Sequence, residues 1–121
     1  MIVIGGGPAG VTATLRAREL GASVALVERG QIGGTCTNDG CVPTRVLAHT
    51  ARLAREGGQF RDYGLIAPTP QIDFAQVMAR VRETVARVHE KKGLVRELTG
   101  SGAEVLTGVG DAADAGPERQ L

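Results

Sequence analysis

The chain has 121 residues, of which 42% are hydrophobic and 22% charged, and its formal net charge is +1. A chain of this length folds around one core, and its balanced charge with only 2% aromatic residues argues against a nucleic-acid partner. The opening apolar run of residues 1–4 ends at Gly5 and has no basic flank, so we predict neither a signal peptide nor a membrane span. We therefore expect a cytoplasmic protein with no membrane partner.

The chain opens with a short β-branched run followed by a glycine-rich turn. Residues 1–4 predict a strand, and Gly5, Gly7 and Gly10 fit the pattern G-x-G-x-x-G. In that pattern the first glycine makes the turn, the second lets a phosphate approach the backbone, and the third allows close helix packing. Pro8 suits the first position of a helix, where its missing N–H costs nothing. The pattern alone is a weak indication, so its context matters.

The context is a βαβ unit. A helix predicted to end at Gly21 is followed by a buried parallel strand over residues 23–28. Glu28 lies 18 residues beyond Gly10, where a carboxylate can accept hydrogen bonds from the ribose of a dinucleotide. The alternative is a solvated acidic residue at a strand end. The apolar residues predicted to face the core from the helix are Val11, Leu15 and Leu20.

The only two cysteines, Cys36 and Cys41, are separated by four residues that include Gly40. Two cysteines can form a disulfide when their Cα atoms lie within about 7 Å, which this spacing permits. In a reducing compartment such a pair is more often catalytic or metal-binding than structural, and no further ligand pair or ligand-spaced histidines accompany it. We therefore predict a redox pair and no metal site. The alternative is two buried cysteines that act as small hydrophobic residues.

The cysteines precede a helix predicted to begin near Pro43 and to continue to Gly57-Gly58. Cys41 would stand just before its N-terminus, whose partial positive charge favours a thiolate. His49 on this helix and His89 on the next are predicted to be helix-face residues and not general bases.

A loop is predicted over residues 59–70, followed by one long helix capped by Asp73, with Gln76 completing a capping box, and ending at Gly100. A third parallel strand is predicted over 104–107, and residues 111–121 show no apolar period. The predicted core face of the long helix comprises Phe74, Val77, Met78, Val81, Val85, Val88, Val95 and Leu98. Its basic residues are predicted to form a solvated face: Arg80, Arg82, Arg87, Lys91, Lys92 and Arg96.

Two motifs resemble those of the FAD-dependent pyridine nucleotide-disulfide oxidoreductases, in particular the dihydrolipoamide dehydrogenase and mercuric reductase branch. Residues 4–10, Ile-Gly-Gly-Gly-Pro-Ala-Gly, together with Glu28, match the FAD fingerprint of that family. Residues 33–43, Gly-Gly-Thr-Cys-Thr-Asn-Asp-Gly-Cys-Val-Pro, match its redox-active disulfide motif, which is highly specific. The resemblance implies an α/β fold, a Rossmann-like FAD-binding domain with a parallel sheet.

The resemblance also implies roles for individual residues. Cys41 would be the sulfur nearer the flavin, forming the charge-transfer thiolate, and Cys36 the interchange thiol that meets the substrate. Electrons would pass from NAD(P)H through FAD to the Cys36–Cys41 disulfide. Arg45 stands where the family usually has a lysine beside the flavin ring. The cofactor-binding residues expected from the resemblance are Gly5, Gly7, Pro8, Ala9, Gly10, Glu28, Arg29, Gly34, Thr35, Cys36, Gly40, Cys41, Arg45 and Gly110.

By the same resemblance, residues 1–121 would be a partial FAD-binding domain from the N-terminal part of a larger enzyme, without the nicotinamide-binding and dimerisation domains. The expected substrate is a small-molecule disulfide, a dithiol or a metal ion, and the full-length family is expected to form homodimers. The alternative function is a catalytically silent dinucleotide-binding module, in which the same fold holds a nucleotide without turnover.

Overall fold

The structure, a computed structural model, describes residues 1–110. The predicted domain extends to residue 121, and its last eleven residues, 111–121, lie outside the described part. The described elements are β1 Ile2–Ile4, α1 Pro8–Glu19, β2 Ala25–Glu28, α2 Gly34–Asn38, α3 Cys41–Gly58, a 3-10 helix at Phe60–Tyr63, α4 Phe74–Lys92, α5 Leu94–Gly100 and β3 Glu104–Thr107. They divide into two compact units: a first unit of residues 1–34 with the chain from Leu94 onward, and a second unit of residues 35–93.

The first unit contains a three-stranded parallel sheet in the order β1-β2-β3. Ile2 pairs with Ala25 on one side of β2, and Leu26 pairs with Val105 on the other. Parallel neighbours require crossover connections, which here contain α1 between β1 and β2 and a longer helical stretch between β2 and β3. The predicted α/β fold with a parallel sheet is confirmed.

The core of the first unit lies between the sheet and its helices. It consists of Val11 from α1, Leu26 from β2, Ile32 from the following segment and Leu98 from α5. Leu26 and Leu98 are fully buried, and burying a leucine side chain contributes about 1.5–3 kcal/mol. The predicted inward position of Leu20 is wrong: α1 ends at Glu19, and Leu20, its C-cap residue, is 71% exposed because it lies outside the helix whose face packs on the sheet.

In the second unit α3 packs against α4. Pro70, shortly before α4, lies against Gly57 at the end of α3, while His89 near the end of α4 bonds to Asn38, which precedes α3. The two helices are therefore antiparallel. Asp73 caps α4 as predicted, with its carboxylate accepting a hydrogen bond from the Gln76 backbone N–H at 3.1 Å.

The single long helix predicted up to Gly100 is two helices. Gly93, with φ +57°, ends α4, and α5 begins at Leu94. A glycine adopts this left-handed conformation without the steric cost of a Cβ, and its N–H bonds to the His89 carbonyl at 2.9 Å. Phe74 and Val95, predicted to face the core, are 68% and 54% exposed.

One further helix was not predicted, and two element boundaries differ from the predictions. The short helix α2 around Cys36 was not predicted, and α3 begins at Cys41 rather than near Pro43. The β2 strand begins at Ala25, two residues later than predicted.

Among residues 1–110, no helix is both long enough and apolar enough to cross a membrane.

Thr14 on α1 is fully buried, and its hydroxyl has no hydrogen-bond partner among the described residues. A buried hydroxyl without a partner costs free energy that an apolar group of the same shape does not. We predict that Thr14→Val raises the free energy of unfolding by about 1 kcal/mol, measured by urea denaturation.

The matched control for Thr14→Val is Thr37→Val. Thr37 is equally buried, at 1% exposed, but its hydroxyl accepts a hydrogen bond from Lys92 at 3.2 Å. Removing that acceptor is expected to lower the free energy of unfolding by about 1 kcal/mol. Equal losses in the two variants would contradict the assignment of Thr14 as an unsatisfied group.

Candidate functional site

The turn between β1 and α1 can be built only with glycine at two of its positions. Gly5 follows the strand with φ +99°, a conformation that other residues rarely adopt. Gly10 lies so close to the turn that a Cβ there would stand 1.8 Å from the Gly5 carbonyl oxygen. Both roles match those predicted from the G-x-G-x-x-G spacing: Gly5 allows the turn, and Gly10 lets the helix pack against it.

The N-terminus of α1 leads out of this turn. Gly7 is its N-cap, no side chain caps it, and Pro8 begins the helix as predicted. The first N–H groups of a helix, here those of Ala9 and Gly10, have no acceptor within the helix, and the helix dipole adds partial positive charge. An anion such as a phosphate is favoured at such an end.

Glu28, at the end of β2, holds the same turn from the other side. Its Oε2 accepts a hydrogen bond from the Gly6 N–H at 2.5 Å, and its Oε1 accepts one from the Gly30 N–H at 2.8 Å. These two bonds lower the pKa of Glu28, and the bond from Gly6 has the larger effect. The positive charge of Arg29 lowers the pKa further. A carboxylate has about four acceptor sites, so Glu28 can hold the turn and still accept from a ligand hydroxyl.

A cleft of about 270 Å³ lies at the carboxyl ends of the three strands. Four of the predicted cofactor-binding residues line it together: Gly5, Glu28, Arg29 and Gly110. In open α/β sheets, ligands bind in the crevice at this edge of the strands. The fold therefore brings residues that are distant in sequence to one place.

The segment before the first cysteine is fastened to the glycine turn. The Gly33 N–H donates to the Gly6 carbonyl at 2.8 Å. Gly34, with φ +66°, approaches Gly7 so closely that a Cβ on it would stand 2.8 Å from the Gly7 Cα. The predicted site residues Gly7 and Gly34 are thus neighbours in the first unit.

The two cysteines lie in the second unit. Cys36 is in α2, Cys41 is the first residue of α3, and both are exposed free thiols. The chain turns back between them because the Gly40 N–H donates to the Thr35 carbonyl at 2.6 Å. A Cβ on Gly40 would stand 3.0 Å from that same oxygen, so a small residue suits the turn. The two predicted site residues Thr35 and Gly40 therefore shape the approach of one cysteine to the other.

The two thiols are close enough to hydrogen bond to each other. This bond with Cys41 is the largest cause that raises the pKa of Cys36 above its ordinary value, followed by partial desolvation and by electrostatic repulsion from Cys41. Lys92 opposes the rise by attracting the thiolate. The pKa of Cys36 therefore depends on two neighbours that act in opposite directions, Cys41 and Lys92.

Arg45 stands four residues after Cys41 on α3, which is about one turn. It lines a groove of about 610 Å³ within the second unit. The other residues that line this groove are Val42, Val46, His49, Thr50, Leu53, Arg80, Thr84 and Val88. His49 also hydrogen bonds to Arg52 at 3.0 Å and is exposed, in agreement with the predicted helix-face position.

Sequence reasoning missed three residues that contact the predicted sites. The Gly6 N–H binds Glu28, while His89 and Lys92 bind side chains of α2 beside Cys36. His89 and Lys92 are three residues apart and so share a helix face, which the sequence alone could show. Their partners Asn38 and Thr37 lie more than fifty residues earlier, at a separation for which the sequence offers no pattern.

A parallel sheet with a glycine turn and a cleft at its carboxyl edge is characteristic of nucleotide-binding α/β proteins. The contacting thiols narrow the class to nucleotide-binding proteins with a thiol pair capable of redox chemistry. Among residues 1–110, no group of three or more His, Cys, Asp or Glu side chains is arranged to hold a metal ion.

Comparison with known proteins agrees with this class. The model of the pyridine nucleotide-disulphide oxidoreductase family matches residues 1–113, and the chain belongs to that family. The resemblance inferred from the two motifs is confirmed.

The chain is similar to several relatives of known name. It is 41% identical over 110 residues to a dihydrolipoyl dehydrogenase of Zymomonas mobilis, covering 91% of this chain and 23% of the relative. It is 47% identical over 89 residues to dihydrolipoyl dehydrogenase 3 of Pseudomonas aeruginosa, covering 71% of this chain and 19% of the relative. The chain therefore spans roughly a fifth of the length of these relatives.

Among solved structures, the chain is similar to the HOCl-induced flavoprotein disulfide reductase RclA from Escherichia coli, determined as a Cu(II) complex. The TM-score is 0.66 and the sequence identity 29%, over 89% of this chain and 21% of the other. This likeness agrees with the family assignment and with the fold described above.

The hydrogen bonds to Glu28 predict a specific dependence of stability on pH. Because the pKa of Glu28 is lowered in the folded state, its contribution is fully present above the ordinary value of 4.5 and is lost as the pH falls through the lower, folded value. We expect Glu28→Gln to be less stable than the wild type at neutral pH and to lose less stability than the wild type between about pH 6 and pH 3, measured by thermal unfolding.

Glu83→Gln serves as the control for Glu28→Gln. The pKa of Glu83 is also lowered, but by exposed ion pairs with Arg80 and Arg87, which salt screens. The effect of Glu28→Gln should persist at about 1 M salt, where that of Glu83→Gln disappears. If both effects vanished in salt, backbone hydrogen bonding would not be the cause at Glu28.

The contact between Gly10 and the Gly5 carbonyl predicts a large difference between two helical glycines. Gly10→Ala places a methyl group 1.8 Å from backbone that cannot move aside without opening the turn, so we expect a loss of about 2–3 kcal/mol in unfolding free energy. Gly58→Ala, in α3 with no atom within 4 Å of the new Cβ, should be neutral or stabilising by up to about 1 kcal/mol. Chemical denaturation of both variants measures the difference, and similar values would argue against the close packing.

Proposed function

We propose that this chain carries the FAD-binding and dithiol-bearing part of a flavin-dependent disulfide oxidoreductase. The observation that supports this most directly is the hydrogen-bonded pair of Cys36 in α2 and Cys41 at the start of α3, in a member of the pyridine nucleotide-disulphide oxidoreductase family. The electron donor would be NAD(P)H, and the substrate a small-molecule disulfide, reduced to its dithiol or formed from it in the reverse direction.

The first unit has the features that an adenine dinucleotide requires. The uncapped N-terminus of α1, reached through Gly7, Pro8 and Ala9, would hold the pyrophosphate. Glu28 would accept hydrogen bonds from ribose hydroxyls while continuing to hold the Gly6 N–H. The cleft beside Gly110 would hold the adenosine half of FAD.

The thiols of this chain would perform the exchange with the substrate. FAD, when bound, supplies a two-electron carrier between the nicotinamide and the sulfur pair. The Cys36 thiolate attacks one sulfur of the substrate disulfide, and the other substrate sulfur leaves as a thiolate and takes up a proton. Cys41 then attacks Cys36 and expels the second substrate thiol. The substrate gains two electrons and two protons, and the chain ends with a Cys36–Cys41 disulfide.

The names of the relatives support the proposed substrate class. Several are dihydrolipoyl dehydrogenases, which favours a dithiol or disulfide substrate over a metal ion, although the similar RclA structure holds Cu(II). In the whole enzyme, Arg45 would stand beside the flavin in place of lysine and would keep the positive charge with a planar, fork-shaped group. A homodimer is the assembly we propose for the whole enzyme.

The proposal is tested by adding FAD to the purified chain and then supplying dihydrolipoamide under anaerobic conditions. We expect FAD to remain with the chain through gel filtration and its absorbance near 450 nm to fall by roughly half or more when dihydrolipoamide is added. Cys36→Ser should bind FAD equally well but show little bleaching, because the first sulfur of the exchange is missing.

The controls separate the alternatives. FAD binding without bleaching in the wild type would favour a catalytically silent dinucleotide-binding module, and absence of FAD binding would contradict the proposed cofactor. Reoxidation of the reduced flavin by Cu(II) but not by lipoamide, lost in Cys36→Ser, would favour a metal-ion substrate.

A further inference from the structure

Two side chains at the end of α4 hold the residues that follow Cys36. His89 Nε2 lies 2.6 Å from Asn38 Oδ1, and Lys92 Nζ lies 3.2 Å from Thr37 Oγ1. Thr37 and Asn38 are the next two residues of α2 after Cys36. One face of α4 therefore binds the segment that carries the first cysteine at two consecutive positions.

The chemistry of the side chains determines which of them donates each hydrogen bond. The Asn38 carboxamide oxygen can only accept, so His89 Nε2 carries the proton and donates it. The Lys92 ammonium donates to the Thr37 hydroxyl, and Thr37 is only 1% exposed. A buried acceptor fixes the position of the ammonium more firmly than a solvent-exposed one, because its own place is set by packing.

The held ammonium acts on the neighbouring sulfur. Among the described residues, the charged groups that act on Cys36 are Cys41 from α3 and Lys92 from α4, and they act in opposite directions. Hydrogen bonding and repulsion from Cys41 raise the pKa of Cys36, and attraction to Lys92 lowers it. Among the described residues, Lys92 is thus the group that favours the Cys36 thiolate by charge.

We propose that Lys92 is a positioning residue for the Cys36 thiolate, held beside it by the Thr37 hydroxyl, while the His89–Asn38 hydrogen bond keeps α2 against α4. The assignment of Cys36 as the sulfur that meets the substrate rests on the proposed function. The positioning itself rests on the two hydrogen bonds and concerns the reactivity of the thiol, with or without flavin.

A purely structural role for Lys92 is the competing explanation. Lys92 is the last residue of α4, where a positive charge interacts favourably with the helix dipole. That role would change helix stability without changing the ionisation of Cys36. The pH dependence of the Cys36 reaction rate therefore distinguishes the two explanations.

The experiment measures alkylation of the reduced chain by iodoacetamide from about pH 6.5 to pH 9.5, with the Cys36 and Cys41 peptides quantified separately by mass spectrometry. Lys92→Met removes the charge and keeps most of the side-chain stem. Lys91→Met removes a charge from the adjacent, exposed position of the same helix and is the matched control. Lys92→Arg restores the charge.

For Lys92→Met we expect the rate at Cys36 near pH 7.5 to fall by about twofold or more and its midpoint to move to higher pH, because less of the thiol is ionised. Lys91→Met should match the wild type, and Lys92→Arg should recover most of the rate. Thr37→Val should shift the Cys36 profile in the same direction as Lys92→Met, because it releases the ammonium without removing it.

Superimposable Cys36 profiles for Lys92→Met and Lys91→Met would overturn the proposal. Circular dichroism of each variant confirms that the helices are intact, so that a lost rate is not attributed to unfolding. FAD binding is measured separately in the wild type: its failure would overturn the proposed function, whereas the alkylation profiles alone decide the role of Lys92.

Discussion

The packing of Gly10 beneath the Gly5 carbonyl is the constraint on which the first unit depends. A Cβ at Gly10 would stand 1.8 Å from that oxygen, so α1 can leave β1 at this angle only without a side chain there. The turn that results presents the Gly6 N–H to Glu28 and brings Gly34 against Gly7. The start of α1, Glu28 at the end of β2 and Gly34 therefore all contact this one turn.

Glu28 has a structural role that does not require a bound ligand. Its two oxygens bind backbone N–H groups on either side, from Gly6 and from Gly30, and these bonds lower its pKa. An acid that is already ionised and fixed in place loses little freedom when it accepts a further hydrogen bond from a ligand hydroxyl. The same carboxylate thus stabilises the turn and is already positioned to bind a ligand hydroxyl in the cleft.

The thiol pair depends on contacts of a different kind. The turn through Thr35 and Gly40 brings Cys41 to Cys36, and the hydrogen bond between them raises the pKa of Cys36. Contacts from α4 to Thr37 and Asn38 hold the segment and add one positive charge. Close packing of glycines shapes the turn of the first unit. In the second unit, hydrogen bonds and charge set the position and the ionisation of Cys36.

The sequence by itself determined the strand, helix and strand that make up the βαβ unit, the roles of Gly5 and Gly10, the helix start at Pro8 and the Asp73 cap, because each depends on neighbours within a few residues. The family also followed from sequence, through two short motifs. Only the tertiary structure decided that Leu20 faces solvent, that Glu28 binds the turn, and that His89 and Lys92 reach α2. The break at Gly93 was also missed, since an apolar stripe continues across it and only the backbone angle shows that the helix ends there. The Gly6–Glu28 contact spans 22 positions and the His89–Asn38 contact spans 51. Such contacts depend on how the helices and strands pack, and no local pattern encodes that packing.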